Sequence, residues 1–283
     1  MPQHPAIAQG RVAVVTGAAS GIGLAAARKF ASLGMRVMMA DANAEALRAG
    51  ASGAAALAER PEDVDSRVAD VSKLADVEAL RAAAYARFGE VALLMNNAGI
   101  GGGGGALAET EAWRKVIEVN LWGVINGIQA FLPGMLAQAT PCAIVNTGSK
   151  QGITCPPGDT AYNVSKAGIK VATEGLAHEL RNLAGCQITA HLLIPGFTFT
   201  GISSGAGGAK PPGAWSAEQV VDFLLPAMAA GDFYILCPDN ETTRAMDEKR
   251  VTWAMQDIVD NRPALSRWHP QYRDAFAQFM KAR

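Results

Sequence analysis

Arg11-Val12-Ala13-Val14-Val15-Thr16-Gly17-Ala18-Ala19-Ser20-Gly21-Ile22-Gly23 is an aliphatic run closed by a glycine-rich turn and followed at once by an Ala-rich segment. The run Arg11 to Thr16 predicts a strand, and Ile22 to Leu33 predicts a helix. A strand, a tight turn and a helix in that order bring unpaired helix N–H groups, and the positive end of the helix dipole, to the carboxyl end of the strand. Glycine at 17, 21 and 23 permits a sharp turn and a close approach by a pyrophosphate, with Ala19, Ser20 and Ile22 completing the candidate cradle. Glycine alone is weak evidence, since turns are rich in it. Its place between strand and helix gives it weight.

The same alternation continues outward. Met35 to Ala40 predicts a second strand and Ala44 to Glu59 a helix; a third strand ends near Val68, before a helix over Lys73 to Phe88 with Ser72 as its N-cap. Val91 to Met95 is wholly apolar, as expected of a strand covered on both faces. Later strands are predicted at Ala143 to Thr147, Gln187 to Ile194 and Phe233 to Leu236, with long helices over Glu111 to Gln138 and Ala161 to Ala184. Alternation at this spacing implies right-handed crossovers and an α/β fold: a doubly wound parallel sheet inside a three-layer α/β/α sandwich. Such sheets bind ligands beyond the carboxyl ends of their strands, so the residues just after each strand carry the functional reading.

The second strand ends at Asp41, whose carboxylate can accept from both hydroxyls of an adenine-side ribose and would repel a 2′-phosphate. NAD is therefore expected over NADP. Asp70-Val71, after the third strand, is a candidate reader of the adenine; Asn97-Ala98-Gly99, after the fourth, supplies small residues where backbone meets cofactor. After the fifth predicted strand comes Ser149, then Tyr162 thirteen residues later and Lys166 four beyond that. Tyr162 and Lys166 lie one helical turn apart and share a face. An ammonium there favours the phenolate and is expected to pull the phenol down from its ordinary value of about 10.

Thr16-Gly-xxx-Gly-Ile-Gly23, Asn96-Asn-Ala-Gly99, Asn120, Ser149, Tyr162-xxx-Lys166 and Pro195-Gly196 with Thr200, in that order, resemble the short-chain dehydrogenase/reductase family over roughly residues 8 to 238. The resemblance implies a Rossmann-type fold and hydride transfer between a nicotinamide and an alcohol or carbonyl carbon. It makes Tyr162 the general acid/base, and Lys166 the group that holds the nicotinamide ribose. Ser149 becomes the hydrogen-bond donor to the substrate oxygen, and Asn120 the holder of a relay water through a distorted helix backbone. Pro195, Gly196, Thr198 and Thr200 would flank the nicotinamide, the two threonines at its carboxamide. Relatives commonly pair through the two long helices, so a homodimer or homotetramer is expected, helped here by Ala167, Gly168, Ala172 and Gly175.

Composition narrows the classes. A formal net charge of -1, with no long Lys/Arg run, argues against nucleic acid and against an anionic membrane surface. No apolar run approaches the ~18 residues of a membrane span, and Met1 to Gly10 lacks the basic-then-apolar order of a secretory signal. Cys142, Cys155, Cys186 and Cys237 lie far apart, which points to reduced thiols in a cytoplasmic protein and to no metal centre. His178 and His191 read as structural.

Some features depart from the commonest pattern of the family. Lys150 adds a cation beside Ser149, expected to point to solvent. Gly101 to Gly105 offers no side chains to read a substrate, and is either a mobile rim or room for a bulky ligand. Ser203 to Gly213, where relatives carry a substrate lid, is short and rich in Gly, Ala and Pro. Residues 1–240 are expected to form the catalytic domain, and 241–283 a helical extension packed on it: a helix over Glu241 to Asn261, then a stripe of Tyr272, Phe276 and Phe279 acting as a cap or a subunit contact. Ile153, Pro156, Pro157, Phe197, Ile202 and Trp215 suggest a hydrophobic secondary alcohol or ketone. Two alternatives stand beside this reading: an NADP-dependent carbonyl reductase, and a non-catalytic NAD sensor, against which the presence of both Tyr162 and Lys166 argues.

Overall fold

The computed structural model describes residues 3–200 and 209–282; Ile202 and most of the lid stretch, 203–208, lie outside the described residues. Seven parallel strands form one sheet in the order β3-β2-β1-β4-β5-β6-β7. They are β1 Val12–Thr16, β2 Arg36–Asp41, β3 Val64–Val68, β4 Leu93–Asn96, β5 Cys142–Thr147, β6 Ile188–Ile194 and β7 Tyr234–Leu236. Strand order reverses between β1 and β4, which pair as Ala13 with Leu93 and Val15 with Met95. A crevice opens at this reversal.

Period-two alternation explains the layers. Ala13 and Val15 face a core shared with Phe30 of α1 (Gly21–Ser32), Leu47 of α2 (Ala44–Ala55) and Leu224 of α8 (Ala217–Ala230). Val12 and Val14 face the opposite core, with Leu80 of α3 (Leu74–Phe88), Phe131 of α5 (Gly123–Ala137) and Leu176 of α7 (Thr160–Asn182). Both faces of β1 are buried, so its sequence is apolar throughout rather than alternating.

Three local expectations are corrected. The predicted helix over Glu111 to Gln138 is α4 (Thr110–Ile117), a π-helical turn (Glu118–Trp122) and α5. Ser72 does not cap α3: its hydroxyl donates to Asp70 Oδ1 at 2.7 Å, and Lys73 occupies the cap position without a side-chain bond. The second helix stops at Ala55 rather than Glu59, ahead of a 3₁₀ turn at Pro61–Asp63.

Beyond β7, α9 (Arg244–Val259) starts at Thr243, whose side chain accepts from the Met246 N–H. It packs on the short helix α6 (Gln151–Thr154), directly after Ser149, and on α10 (Arg273–Lys281). Phe276 and Phe279 of the predicted stripe both pack against Trp253 of α9, with ring centroids 5.2 and 5.3 Å away, while Tyr272 packs on His269. Among the described residues, no helix is long and apolar enough to cross a membrane.

Candidate active site

A cleft of about 760 Å³ lies at the carboxyl ends of β1 to β6. Gly17, Ser20, Gly21 and Ile22 line it from the first turn; Asp41, Asp70 and Val71 from the next two; Asn97, Ala98 and Gly99 from the fourth. Pro195, Gly196, Thr198 and Thr200 form the wall after β6. Ala19 and Gly23 do not line it. The Ala19 N–H donates to Asp41 Oδ2 at 3.1 Å, and a Cβ on Gly23 would fall 2.2 Å from the Gly17 carbonyl oxygen. Gly23 therefore serves the packing of helix on turn, and Ala19 fixes the orientation of Asp41.

The first turn suits a dinucleotide. Gly17 sits at φ +65°, and a Cβ there would come within 2.7 Å of the Ala98 Cα, so two backbone segments close the floor of the cleft. Helix α1 begins at Ser20 without a side-chain cap, leaving its first N–H groups to an anion. Asp41 is not the cap of the next helix: Asn43 is, its side chain accepting from the Ala46 N–H at 3.1 Å. Asp70 Oδ1 is engaged by Ser72, so only part of that carboxylate faces the cleft.

At the other end of the cleft stand Ser149, Tyr162 and Lys166. Asp159 starts α7 by accepting from the Tyr162 N–H at 3.2 Å, and its second oxygen accepts from the Gly102 N–H at 2.9 Å. Lys166 is buried; its Nζ donates to the Thr147 carbonyl at 2.8 Å and lies 5.6 Å from the centre of the Tyr162 ring. Burial lowers the Lys166 ammonium to about 8. The expectation that it pulls the Tyr162 phenol down is not met. Burial of the phenol outweighs every other influence and raises it, with the nearby Ser149 hydroxyl opposing and the Asp159 charge adding to the rise.

Asn120 is fully buried within the π-helical turn and does not reach the cleft surface. Its side chain clamps Ile100 from both sides, accepting from the Ile100 N–H at 2.8 Å and donating to the Ile100 carbonyl at 2.9 Å, and it also reaches Ser165 Oγ at 3.0 Å. Gly99 lets this happen: a Cβ there would lie 3.3 Å from Asn120 Oδ1 and 3.5 Å from Lys166 Nζ.

The Gly101 to Gly105 run is pinned. Gly102 donates to Asp159, the Gly104 carbonyl accepts from Ala161 N–H, and the Gly105 carbonyl accepts from the Trp113 indole. A Cβ on Gly103 would fall 2.4 Å from the Ala161 Cβ, so glycine is required by close packing on α7. Of the apolar candidates, Phe197 lines the cleft, whereas Trp215 packs on Phe223 and Ile153 against a buried cluster. Trp268, His269 and Pro270 are not among the residues lining the cleft.

Lys150 overturns its expectation. It ion-pairs with Asp239 at 3.1 Å and Asp247 at 2.6 Å, both aspartates almost wholly buried. Sequence reasoning passed over those two aspartates because they lie 89 and 97 residues from Lys150 in separate segments. An isolated charged residue beside an apolar run was the only local signal. Among the described residues, no group of His, Cys, Asp and Glu forms a metal site.

The short chain dehydrogenase family pattern matches residues 11–209. The chain belongs to the short-chain dehydrogenase/reductase family. It is 32% identical to 1-deoxy-11-beta-hydroxypentalenate dehydrogenase of Streptomyces exfoliatus, over 92% of this chain and 94% of that protein. A crystal structure of a short chain dehydrogenase/reductase from Burkholderia phymatum in complex with NAD shares 37% identity and a TM-score of 0.80, covering 90% of this chain and 96% of that one. A metagenomic short-chain oxidoreductase in complex with NADP gives 31% and 0.67, covering 81% and 97%. This dehydrogenase/reductase is thus an NAD(P)-dependent enzyme acting on CH–OH or keto groups, built on a Rossmann-type sheet.

Proposed function

We propose that the enzyme is NAD-dependent and interconverts a secondary alcohol and its ketone, with Tyr162 as the general acid/base. The observation that carries this is the placement of Ser149, Tyr162 and Lys166 at one end of a cleft whose other end is closed by Asp41. NAD, when bound, supplies the hydride acceptor; the chain's residues align and handle the proton. Tyr162 Oη takes the hydroxyl proton in oxidation, or returns it in reduction. Ser149 donates to the substrate oxygen as charge develops there. Lys166 holds the nicotinamide ribose, and its charge stabilises the phenolate when the proton moves. Asn120, bonded to Ile100 behind Lys166, sits where the widened helix frees backbone carbonyls for a proton-relay water.

Asp41 decides the nucleotide: held by the Ala19 and Asn43 N–H groups, it presents fixed negative charge where a 2′-phosphate would sit. Among the described residues, Lys115, Lys150 and Lys166 supply the cations lining the cleft; Lys150 is neutralised by two aspartates, Lys166 faces Thr147, and Lys115 is exposed to solvent. A neutral, hydrophobic substrate fits this wall better than an anionic one, and the direction of catalysis is oxidation by analogy with NAD-linked relatives. Trp122, Val164 and Val171 leave an exposed apolar surface on the π-helical turn and α7, which supports a homodimer or homotetramer. Residues 1–240 act as the catalytic domain and 241–283 as an extension of it in a cytoplasmic protein.

The test is catalytic efficiency with each nucleotide across a panel of secondary alcohols, read as NADH or NADPH absorbance. Preference for NAD by about tenfold or more is expected, equivalent to ~1.4 kcal/mol; preference for NADP would refute the role given to Asp41.

A further inference from the structure

Four segments meet at one buried knot of charge. Lys150 follows Ser149; Asp239 sits in the connection after β7; Asp247 lies in the first turn of α9; and Phe197 belongs to the wall after β6. Lys150 Nζ bridges the two carboxylates. Asp239 Oδ2 also accepts from the Phe197 N–H at 3.4 Å, and its Oδ1 from the N–H groups of Glu241 and Thr242 at 3.2 and 2.7 Å. Arg250 lies 3.7 Å from Asp247 Oδ1, so two cations face two carboxylates. The neighbouring Asn240 side chain ties in the foot of the lid, donating to the carbonyls of Pro212 and Ala214 at 2.7 and 3.1 Å. Glycine at 196 is required by this arrangement, because a Cβ would lie 2.7 Å from both Asp239 Oδ2 and Lys150 Nζ.

The backbone of the same loop is held on its sheet side, where the Gly148 N–H donates to the Leu193 carbonyl at 2.7 Å. Ser149 Oγ accepts from the Gln151 N–H at 3.1 Å, inside the loop, and the Lys150 N–H reaches the Pro195 carbonyl at 3.2 Å. Helix α6, which continues this loop, is four residues long; it packs closely on α7, where a Cβ on Gly152 would lie 2.5 Å from the Lys166 carbonyl carbon, and its other side meets α9. The Lys150 side chain is thus the ionic tie between the serine loop and the segments that follow β7.

We propose that Lys150, Asp239 and Asp247 are positioning residues: through them the C-terminal segment holds the loop carrying Ser149, and the wall at Phe197, in place beside Tyr162. The unit acts by geometry, since a buried ion pair adds little net stability over apolar residues of the same volume. This rests on the acid/base reading of Tyr162, but its test does not need turnover.

The experiment is a phenolate-absorbance titration of Tyr162, taken as the difference between each protein and its Tyr162→Phe counterpart, with NADH affinity measured by fluorescence. Asp247→Asn removes one ion pair. Lys150→Met/Asp247→Leu replaces the ammonium and one carboxylate by apolar groups while Asp239 keeps three N–H donors, so this variant guards against a simple failure to fold. The charged groups around the phenol are Lys166 and Asp159, and both are untouched. Removing a negative charge from Asp247 could by itself only lower the Tyr162 titration, so Asp247→Asn carries the sign test; in the double variant the loss of the Lys150 ammonium raises it and the loss of the Asp247 carboxylate lowers it. Withdrawal of the Ser149 hydroxyl raises it. A rise of roughly half to one pH unit in both variants, with NADH affinity within about twofold, is expected. An unchanged or lowered titration overturns the proposal, as does a rise accompanied by a tenfold or greater loss of NADH affinity, which reports general collapse of the cleft. If Tyr162→Phe retained turnover, the function reading would fall while the titration still reported the placement of Ser149.

Discussion

Lys166 Nζ lies 5.6 Å from the centre of the Tyr162 ring and donates at 2.8 Å to the carbonyl of Thr147, the last residue of β5. The ammonium is buried by the same packing that brings it to the phenol, and burial lowers it to about 8 from 10.5. Its folded value lies below its unfolded one, so between those pH values the unfolded chain binds more protons and stability rises with pH. Lys166→Met is expected to abolish that rise in urea-unfolding free energy between pH 8 and 10.5 while cutting turnover by about 100-fold or more. Equal slopes in the two proteins would show that the lysine is solvated.

Asp41 is fixed by two backbone N–H groups, one from the phosphate turn and one from Asn43. Asp41→Ser removes the charge that opposes a 2′-phosphate. The ratio of kcat/KM for NAD over that for NADP is expected to fall by about 10- to 100-fold, or ~1.4–2.8 kcal/mol. An unchanged ratio would place nucleotide selection elsewhere.

Gly127 sits where α5 crosses β4, and a Cβ there would lie 2.1 Å from Asn96 Oδ1. Asn96 has little freedom to move, because its Nδ2 donates to Asn146, whose own amide donates to Thr173. Alanine gains about 1 kcal/mol in helix propensity, but overpacking against a pinned, buried amide costs ~1–3 kcal/mol. Gly127→Ala is expected to lower Tm by several degrees in a thermal melt. A Tm at or above that of the parent would mean that helix and strand can separate without penalty.

Acid should loosen the N-terminus. His191 Nδ1 donates to the Asp232 carbonyl at 2.7 Å, so its Nε2 accepts from Thr189, and Thr189 in turn accepts from His4 Nε2. His4 Nδ1 accepts from the Ala6 N–H, completing a chain in which both rings are neutral. Burial, reinforced by the repulsion that two protonated rings would feel beside each other, lowers His4 from 6.5 to about 4. A base with a lowered folded value contributes stability that is complete above its unfolded value and is lost as pH falls from 6.5 towards 4. In native-state hydrogen exchange, the protection factors of the His4, Ala6 and Ile7 amides, taken relative to the intrinsic exchange rate at each pH, should fall across that window in the parent. His4→Ala should lose that pH dependence, and constant protection factors in the parent would contradict the neutral chain.

The inner strands β1, β2, β4 and β5 were legible because they are buried along most of their length and close on a polar residue, at Thr16, Asp41, Asn96 and Thr147, whereas β3, Val-Asp-Ser-Arg-Val and largely exposed, showed only where it ends. The helix broken at Asn120 was less visible, since a π-helical turn has no distinct composition, and Ser72 misled because its hydroxyl found the Asp70 carboxylate before the helix N–H groups. Within 101–105, a run that reads as a mobile rim or as room for a bulky ligand, Gly103 is set by close packing, which depends on Ala161, about sixty residues away. The Lys150 knot was invisible for the same reason. Charges that meet only in the folded chain carry no spacing rule.

Catalysis turns on a proton held at Tyr162 Oη. Tyr162→Phe removes that oxygen and keeps the ring against Lys166, so turnover of a secondary alcohol panel with NAD should fall by about 1,000-fold or more, while NADH binds within about twofold of the parent. Turnover within tenfold of the parent would contradict it.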